Sequence, residues 1–130
     1  MADSISDFIT IIRNASRARK EACTSKYANI YLKIGDILKQ EGFIRDIEKT
    51  ENESGRAVIR VTLKYVEDQP AITGLKRVSK PGRRLYYQHR EIPRILGGIG
   101  VGILTTSKGL MNDREARRQQ IGGEFLCAVW

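Results

Sequence analysis

The chain has 130 residues, 41% of them hydrophobic and 29% charged, enough apolar material for one small domain or two very small ones and unlike the composition of a disordered chain. Its 23 Lys and Arg against 15 Asp and Glu give a net charge of +8, the balance of a domain that meets a polyanion, either nucleic acid or an anionic membrane surface. No apolar run approaches the ~20 residues of a bilayer span, Asp3 and Asp7 stand where a signal peptide carries cations, and the separated Cys23 and Cys127 with a single His89 suit neither a disulfide framework nor a zinc site. A soluble, unsecreted protein without metal or cofactor is expected.

Ser4-Ile5-Ser6-Asp7 fits a helix-starting capping box, and Ile5, Phe8, Ile9 and Ile12 follow at helical spacing as one buried stripe. Arg13, Arg17, Arg19 and Lys20 crowd the end of that helix, where cations suit the helix dipole and can equally meet phosphate. Tyr27 to Leu32 reads as a strand; Ile34, Ile37 and Leu38 take helical spacing up to a stop at Gly42. Residues 57–65 alternate strictly, with Ala57, Ile59, Val61, Leu63 and Tyr65 on one face, and the turn-rich Thr50 to Gly55 predicts a hairpin with 43–49. The first half is thus helix, strand, helix, strand, strand.

Glu67-Asp68-Gln69-Pro70 breaks the pattern, placing a boundary between domains 1–66 and 67–130. In the second domain Lys80-Pro81-Gly82-Arg83 has the residues of a type II turn, joining basic strands at about 72–79 and 84–88. Lys76, Arg77, Lys80, Arg83, Arg84, Arg90 and Arg94 there face only Glu91, a local charge of +6. A strand at 101–106, the loop Ser107-Lys108-Gly109, a short helix from Asp113 to Gln120 and a final strand from Glu124 follow, with Asn112 and Glu115 suited to cap the helix and Gly122-Gly123 to end it. The fold class is α/β in composition, of α+β type, with two small domains, the second mostly β.

No catalytic constellation emerges. Gly97 to Gly102 contains no GxGxxG register and the chain has no Gly-Lys-Ser/Thr loop, so close backbone approach explains those glycines better than nucleotide binding. His89 lacks a partner motif, and Cys127 reads as a small core residue. Cationic strands with Tyr86 and Tyr87 between them offer phosphate neutralisation beside aromatic faces, although adjacent strand residues point oppositely and one tyrosine belongs in the core. Thr105, Thr106 and Ser107 with Lys108 supply hydroxyls at a glycine-relieved bend, able to bond an exposed base or a 2′-hydroxyl or simply to form an ordinary turn.

The run Thr106-Ser107-Lys108-Gly109-Leu110-Met111-Asn112-Asp113-Arg114-Glu115-Ala116-Arg117, followed by Gly122-Gly123-Glu124, resembles the C-terminal signature of the family of the eighth protein of the small ribosomal subunit. Asp7 to Thr10, Ile12 to Ala15, Ser25-Lys26, Glu41 to Ile44 and Arg77 to Gly82 extend the likeness over the chain. Thr105 departs from the family's usual Ser, Ile11 from its usual Arg, and Gln119-Gln120 from its usual basic-glycine pair.

The resemblance implies a non-enzymatic, two-domain α/β protein of a cytoplasmic or organellar ribosome. Such a protein binds small-subunit ribosomal RNA directly, organises its central domain during assembly, and has neighbouring small-subunit proteins as partners but no membrane or small-molecule substrate. It further implies an RNA site at Thr105, Thr106, Ser107, Lys108, Gly109 and Glu124, flanked by Tyr86 and the basic Lys76, Lys80, Arg83 and Arg84. Arg13, Asn14 and Lys26 would form a second RNA surface. Repression of a messenger carrying a similar hairpin is the alternative use of the same surface; a small enzyme acting on an anionic substrate at the glycine cluster is the alternative from another class.

Overall fold

The computed structural model describes residues 3–130, which divide into two compact units: Ile5–Thr73, and Gly74–Trp130 together with Asp3 and Ser4. The N-terminal unit contains α1 (Ser4–Arg17) from Ile5 onward, β1 (Ala22–Lys26), α2 (Asn29–Gln40), β2 (Ile44–Glu51), β3 (Ala57–Leu63) and the short strands β4 (Tyr65–Val66) and β5 (Gln69–Pro70). Its antiparallel sheet has the order β1-β3-β2. Ile59, Val61 and Leu63 on β3 are buried, as are the Phe8, Ile9 and Ile12 stripe of α1 and the Tyr31, Ile34 and Leu38 stripe of α2.

Two expectations change in this unit. Tyr27 to Leu32 is not a strand: the chain enters α2 at Asn29, and Tyr31 lies on the buried stripe, its ring stacked on Phe8 at 4.4 Å and 3°. β-favouring side chains are overridden by that packing, and the strand forms earlier, at 22–26. Residues 67–73 also stay with the N-terminal unit. Tyr65 Oη donates to the Lys20 carbonyl at 2.6 Å, Arg19 Nη1 bonds the Asp68 carbonyl, and the Glu67-Asp68 turn between β4 and β5 takes positive φ at both residues. The division therefore falls after Thr73, beyond the polar break at 67–70.

The C-terminal unit holds β6 (Leu75–Arg77), β7 (Tyr86–Tyr87), a 3-10 turn (Ile95–Gly98), β8 (Val101–Thr106), β9 (Gly109–Asn112), α3 (Asp113–Arg118) and β10 (Gly123–Val129). β10 is central: β8 pairs along one edge, and β6 and β7 follow each other along the opposite edge. Ile92, Leu104, Met111, Ala116, Phe125 and Ala128 form the core, with Tyr87 edge-on to Phe125 at 6.0 Å. Asn112 caps α3 by accepting the Glu115 N–H at 2.7 Å. The buried Asp113 accepts the Gly102 N–H at 3.0 Å and pairs with Arg117 at 2.8 Å, tying α3 to β8.

Three local readings are corrected here. The basic strands flank β10 rather than pairing with each other; only the Lys80–Arg83 bridge joins them, and Gly82 lacks the positive φ of a type II turn. Gln120, at φ 56°, takes the left-handed position after α3, while Gly122 and Gly123 allow close approach: a Cβ there would lie 2.3 Å from the carbonyl oxygens of Tyr87 and Thr105 respectively. The 97–102 glycines divide in role. Gly97 and Gly98 adopt φ of 65° and 103° in open space, whereas a Cβ on Gly102 would lie 2.3 Å from the Phe125 ring.

Candidate nucleic-acid interface

β8 and β9 form a hairpin in which Thr106 pairs with Gly109 and Ser107-Lys108 makes the tip. The tip is rigid for a local reason. Thr106 Oγ1 accepts the Lys108 N–H at 3.1 Å and donates to the Gly109 carbonyl at 2.8 Å, and Gly109 supplies the left-handed φ of 101° that a side chain resists. The Thr106 hydroxyl is therefore engaged within the hairpin. Ser107 and Lys108 are exposed, and among the described residues no protein group bonds the Ser107 hydroxyl.

Register then assembles residues far apart in sequence. Glu124 on β10 lies opposite Thr105 on β8 and opposite Tyr86 on β7, and directly opposed antiparallel residues share a face. Tyr86, Glu124 and Thr105 thus form a row across the end of the sheet, next to the Ser107-Lys108 tip. Of the adjacent tyrosines, Tyr86 is the exposed one, at 68%, while Tyr87 packs on the core.

Glu124 itself is only 8% exposed. Its Oε2 accepts Ser79 Oγ at 2.6 Å and Arg84 Nη1 at 3.0 Å, and Ser79 Oγ in turn accepts the Leu85 N–H at 3.0 Å. Burial pushes the Glu124 carboxyl up, but the hydrogen bonds from Ser79 and Arg84, with the charges of Arg84 and Arg77, outweigh it and hold the group below the ordinary carboxylate range. Ser79 is the residue of this site that the sequence does not reveal; its partner is 45 positions away, and no local pattern marks such a contact.

The cations of this unit are not equivalent. Lys76, Lys80 and Arg83 are exposed and line, with Arg77, Val78 and Leu85, a groove of about 270 Å³. Arg77 is buried, bonded to the Leu126 carbonyl at 2.6 Å and paired with Asp3 at 3.2 Å. That carbonyl sits at the β-bulge between Phe125 and Cys127, where an extra residue leaves backbone groups for a side chain to satisfy. Arg84 is committed to Glu124.

In the N-terminal unit the second group of candidates is less convergent. Asn14, near the end of α1, lines a cleft of about 560 Å³ with Lys20, Thr24 and Arg60, while Arg13 is half-buried on α1 and Lys26 is exposed at the end of β1, neither lining that cleft. No cluster of three or more His, Cys, Asp or Glu side chains suited to a metal occurs among the described residues. No helix among them is long and apolar enough to cross a membrane.

Fold and site together define a small, basic α+β protein in two units, whose candidate site is a sheet end built by strand register rather than a cleft around reactive groups. Residues 3–130 match the family model described as "Ribosomal protein S8". The chain is 52% identical over 130 residues to the small ribosomal subunit protein uS8 of Opitutus terrae, covering all of both chains. It is 53% identical over 131 residues to uS8 of Halalkalibacterium halodurans, covering all of this chain and 98% of the relative. Against uS8c of Chlorokybus atmophyticus the identity is 49% over 130 residues, covering 98% of each. The chain belongs to the ribosomal protein S8 family, a family of structural ribosomal proteins and not of enzymes.

Proposed function

We propose that this protein is a structural constituent of the small ribosomal subunit that binds small-subunit ribosomal RNA directly and organises the central domain of that RNA during assembly, beside other small-subunit proteins. The observation that carries this reading is the row Tyr86–Glu124–Thr105 set next to the exposed Ser107-Lys108 tip. An exposed tyrosine ring offers stacking to an unpaired base. The hydroxyls of Thr105 and Ser107 can reach base edges or a 2′-hydroxyl, with Thr106 and Gly109 fixing the tip that presents them. Lys108, Lys76, Lys80 and Arg83 supply phosphate contacts that set position without reading sequence. Arg13, Asn14 and Lys26 form the second, N-terminal RNA surface.

The test is a titration of the whole chain against an internal-loop hairpin from small-subunit ribosomal RNA and against a fully paired control, each at two salt concentrations. The reading expects a preference for the irregular hairpin that survives higher salt, and Ser107→Ala lowering that preference more than it lowers binding to the control. Equal affinities that collapse together with salt would refute it.

A further inference from the structure

Glu124 sets a puzzle: a carboxylate stands in the row proposed to face a polyanion. Its geometry gives the answer. Oε2 already takes two donors, one from Ser79 at 2.6 Å and one from Arg84 at 3.0 Å, so the acceptor capacity of this oxygen is filled from within the protein. Ser79 is 0% exposed, so it touches no ligand, yet its hydroxyl is used twice, donating to Glu124 and accepting from the Leu85 N–H. Ser79 and Arg84-Leu85 are the two ends of the Lys80–Arg83 turn, itself closed by backbone bonds of 3.0 and 2.9 Å. The same ends bond the backbone of Phe125, Ser79 N–H to its carbonyl at 2.9 Å and its N–H to the Leu85 carbonyl at 3.0 Å. Tyr86 follows directly, in register with Glu124.

We propose that Ser79, Glu124 and Arg84 form a positioning clamp that fixes the basic Lys80–Arg83 turn and Tyr86 in register with Thr105, and that Arg84 is a member of this clamp rather than a phosphate contact. The inference rests on the RNA-binding reading of the sheet end. A paired Arg84 and Glu124 carry no net charge, so the pair adds nothing to counterion release, whereas free Lys80 and Arg83 do. The clamp therefore governs discrimination, and the turn's cations govern salt-dependent affinity.

The experiment repeats the two-RNA titration as a function of salt with Lys80→Gln, the charge-neutral Arg84→Gln/Glu124→Gln, Ser79→Ala and the triple variant that combines the last two. Lys80→Gln weakens both RNAs and lowers the salt slope by about 1. Arg84→Gln/Glu124→Gln, which removes the pair without changing the net charge, keeps the wild-type slope and weakens the irregular hairpin selectively, roughly tenfold; Ser79→Ala does the same, and the triple variant loses little more than either. An Arg84→Gln/Glu124→Gln slope falling like that of Lys80→Gln, or Ser79→Ala binding the hairpin like wild type, would overturn the clamp. If wild type shows no preference between the RNAs, the RNA reading fails, and the clamp is then judged without RNA by amide exchange. Faster exchange of the Leu85 and Tyr86 N–H groups in Arg84→Gln supports it, and wild-type exchange there overturns it. Arg84 is half-exposed, so this variant carries the test even where Ser79→Ala folds poorly.

Discussion

Cys127 lies near the end of β10 with no exposed surface, and burial pushes its thiol up to about 12 against the opposing charge of Arg77. Burial also raises the half-buried Cys23 above its ordinary value, with Lys20 opposing. Since the thiolate is the reactive form, an aromatic disulfide reagent at pH 8 should leave Cys127 unlabelled in the native protein, label Cys23 slowly, and label both once the chain is denatured. Rapid native labelling of two thiols would contradict the burial. The core role of Cys127 is legible in the continuous apolar run of its strand, buried from Glu124 to Val129, but the roles of Gly122 and Gly123 are not. Read locally they end a helix; in the fold each leaves room for the backbone of another strand, a requirement that no neighbouring residue encodes.

At the scale of elements, the β8–β9 hairpin shows which signals are local. β8 is visible as an apolar run, 101–106. Gly109–Asn112 is a strand only because β8 pairs with it; four residues without alternation carry no strand period of their own. The tip depends on Thr106, whose hydroxyl makes two bonds. Thr106→Val keeps the shape and deletes both, so the C-terminal unit should lose about 1–2 kcal/mol in denaturant unfolding, with faster exchange of the Lys108 amide. Unchanged stability and exchange would mean that Gly109 alone shapes the turn. α2 gives the converse lesson: Tyr27 to Leu32 has strand-favouring side chains, yet Tyr31 with Ile34 and Leu38 completes a helical stripe against Phe8, and packing decides.

For the whole molecule the charge of +8 is a property of the sequence, but its useful part is a property of the fold. Arg77 is spent on Asp3 and a backbone carbonyl, Arg84 on Glu124, and Arg117 on Asp113, leaving Lys76, Lys80, Arg83 and Lys108 near the sheet end among the exposed cations of the C-terminal unit, which also include Arg90 and Arg94. The Glu124 network also ties stability to pH. Its folded-state value lies below the ordinary Glu value, so its contribution is complete above about pH 4.3 and is lost as pH falls through the lowered folded value. Thermal unfolding of wild type should therefore steepen its fall in Tm on acidification below that range, and Glu124→Gln, which does not titrate, should show a shallower fall. Parallel curves for the two would exclude a titrating role for Glu124. The surface pair of Glu115 with Arg118 and Gln119, which holds the Glu115 carboxyl at about 2, is common to both proteins and cancels in the comparison.

Apolar periodicity, capping residues and net charge are carried by neighbours in the chain, so the α1 stripe, the alternation over 59–63 of β3, the Asn112 cap and the basic character of the protein are all present in the order of residues, whereas the end of β3 at Leu63 and the exposure of Ala57 are not. The C-terminal signature carries the family in the same way. The row Tyr86–Glu124–Thr105, the burial of Ser79 and the sorting of arginines into paired and exposed arise only when β7, β8 and β10 come into register. These contacts join residues separated by tens of positions. Their energies come from desolvation and hydrogen-bond geometry that exist only once the sheet has formed.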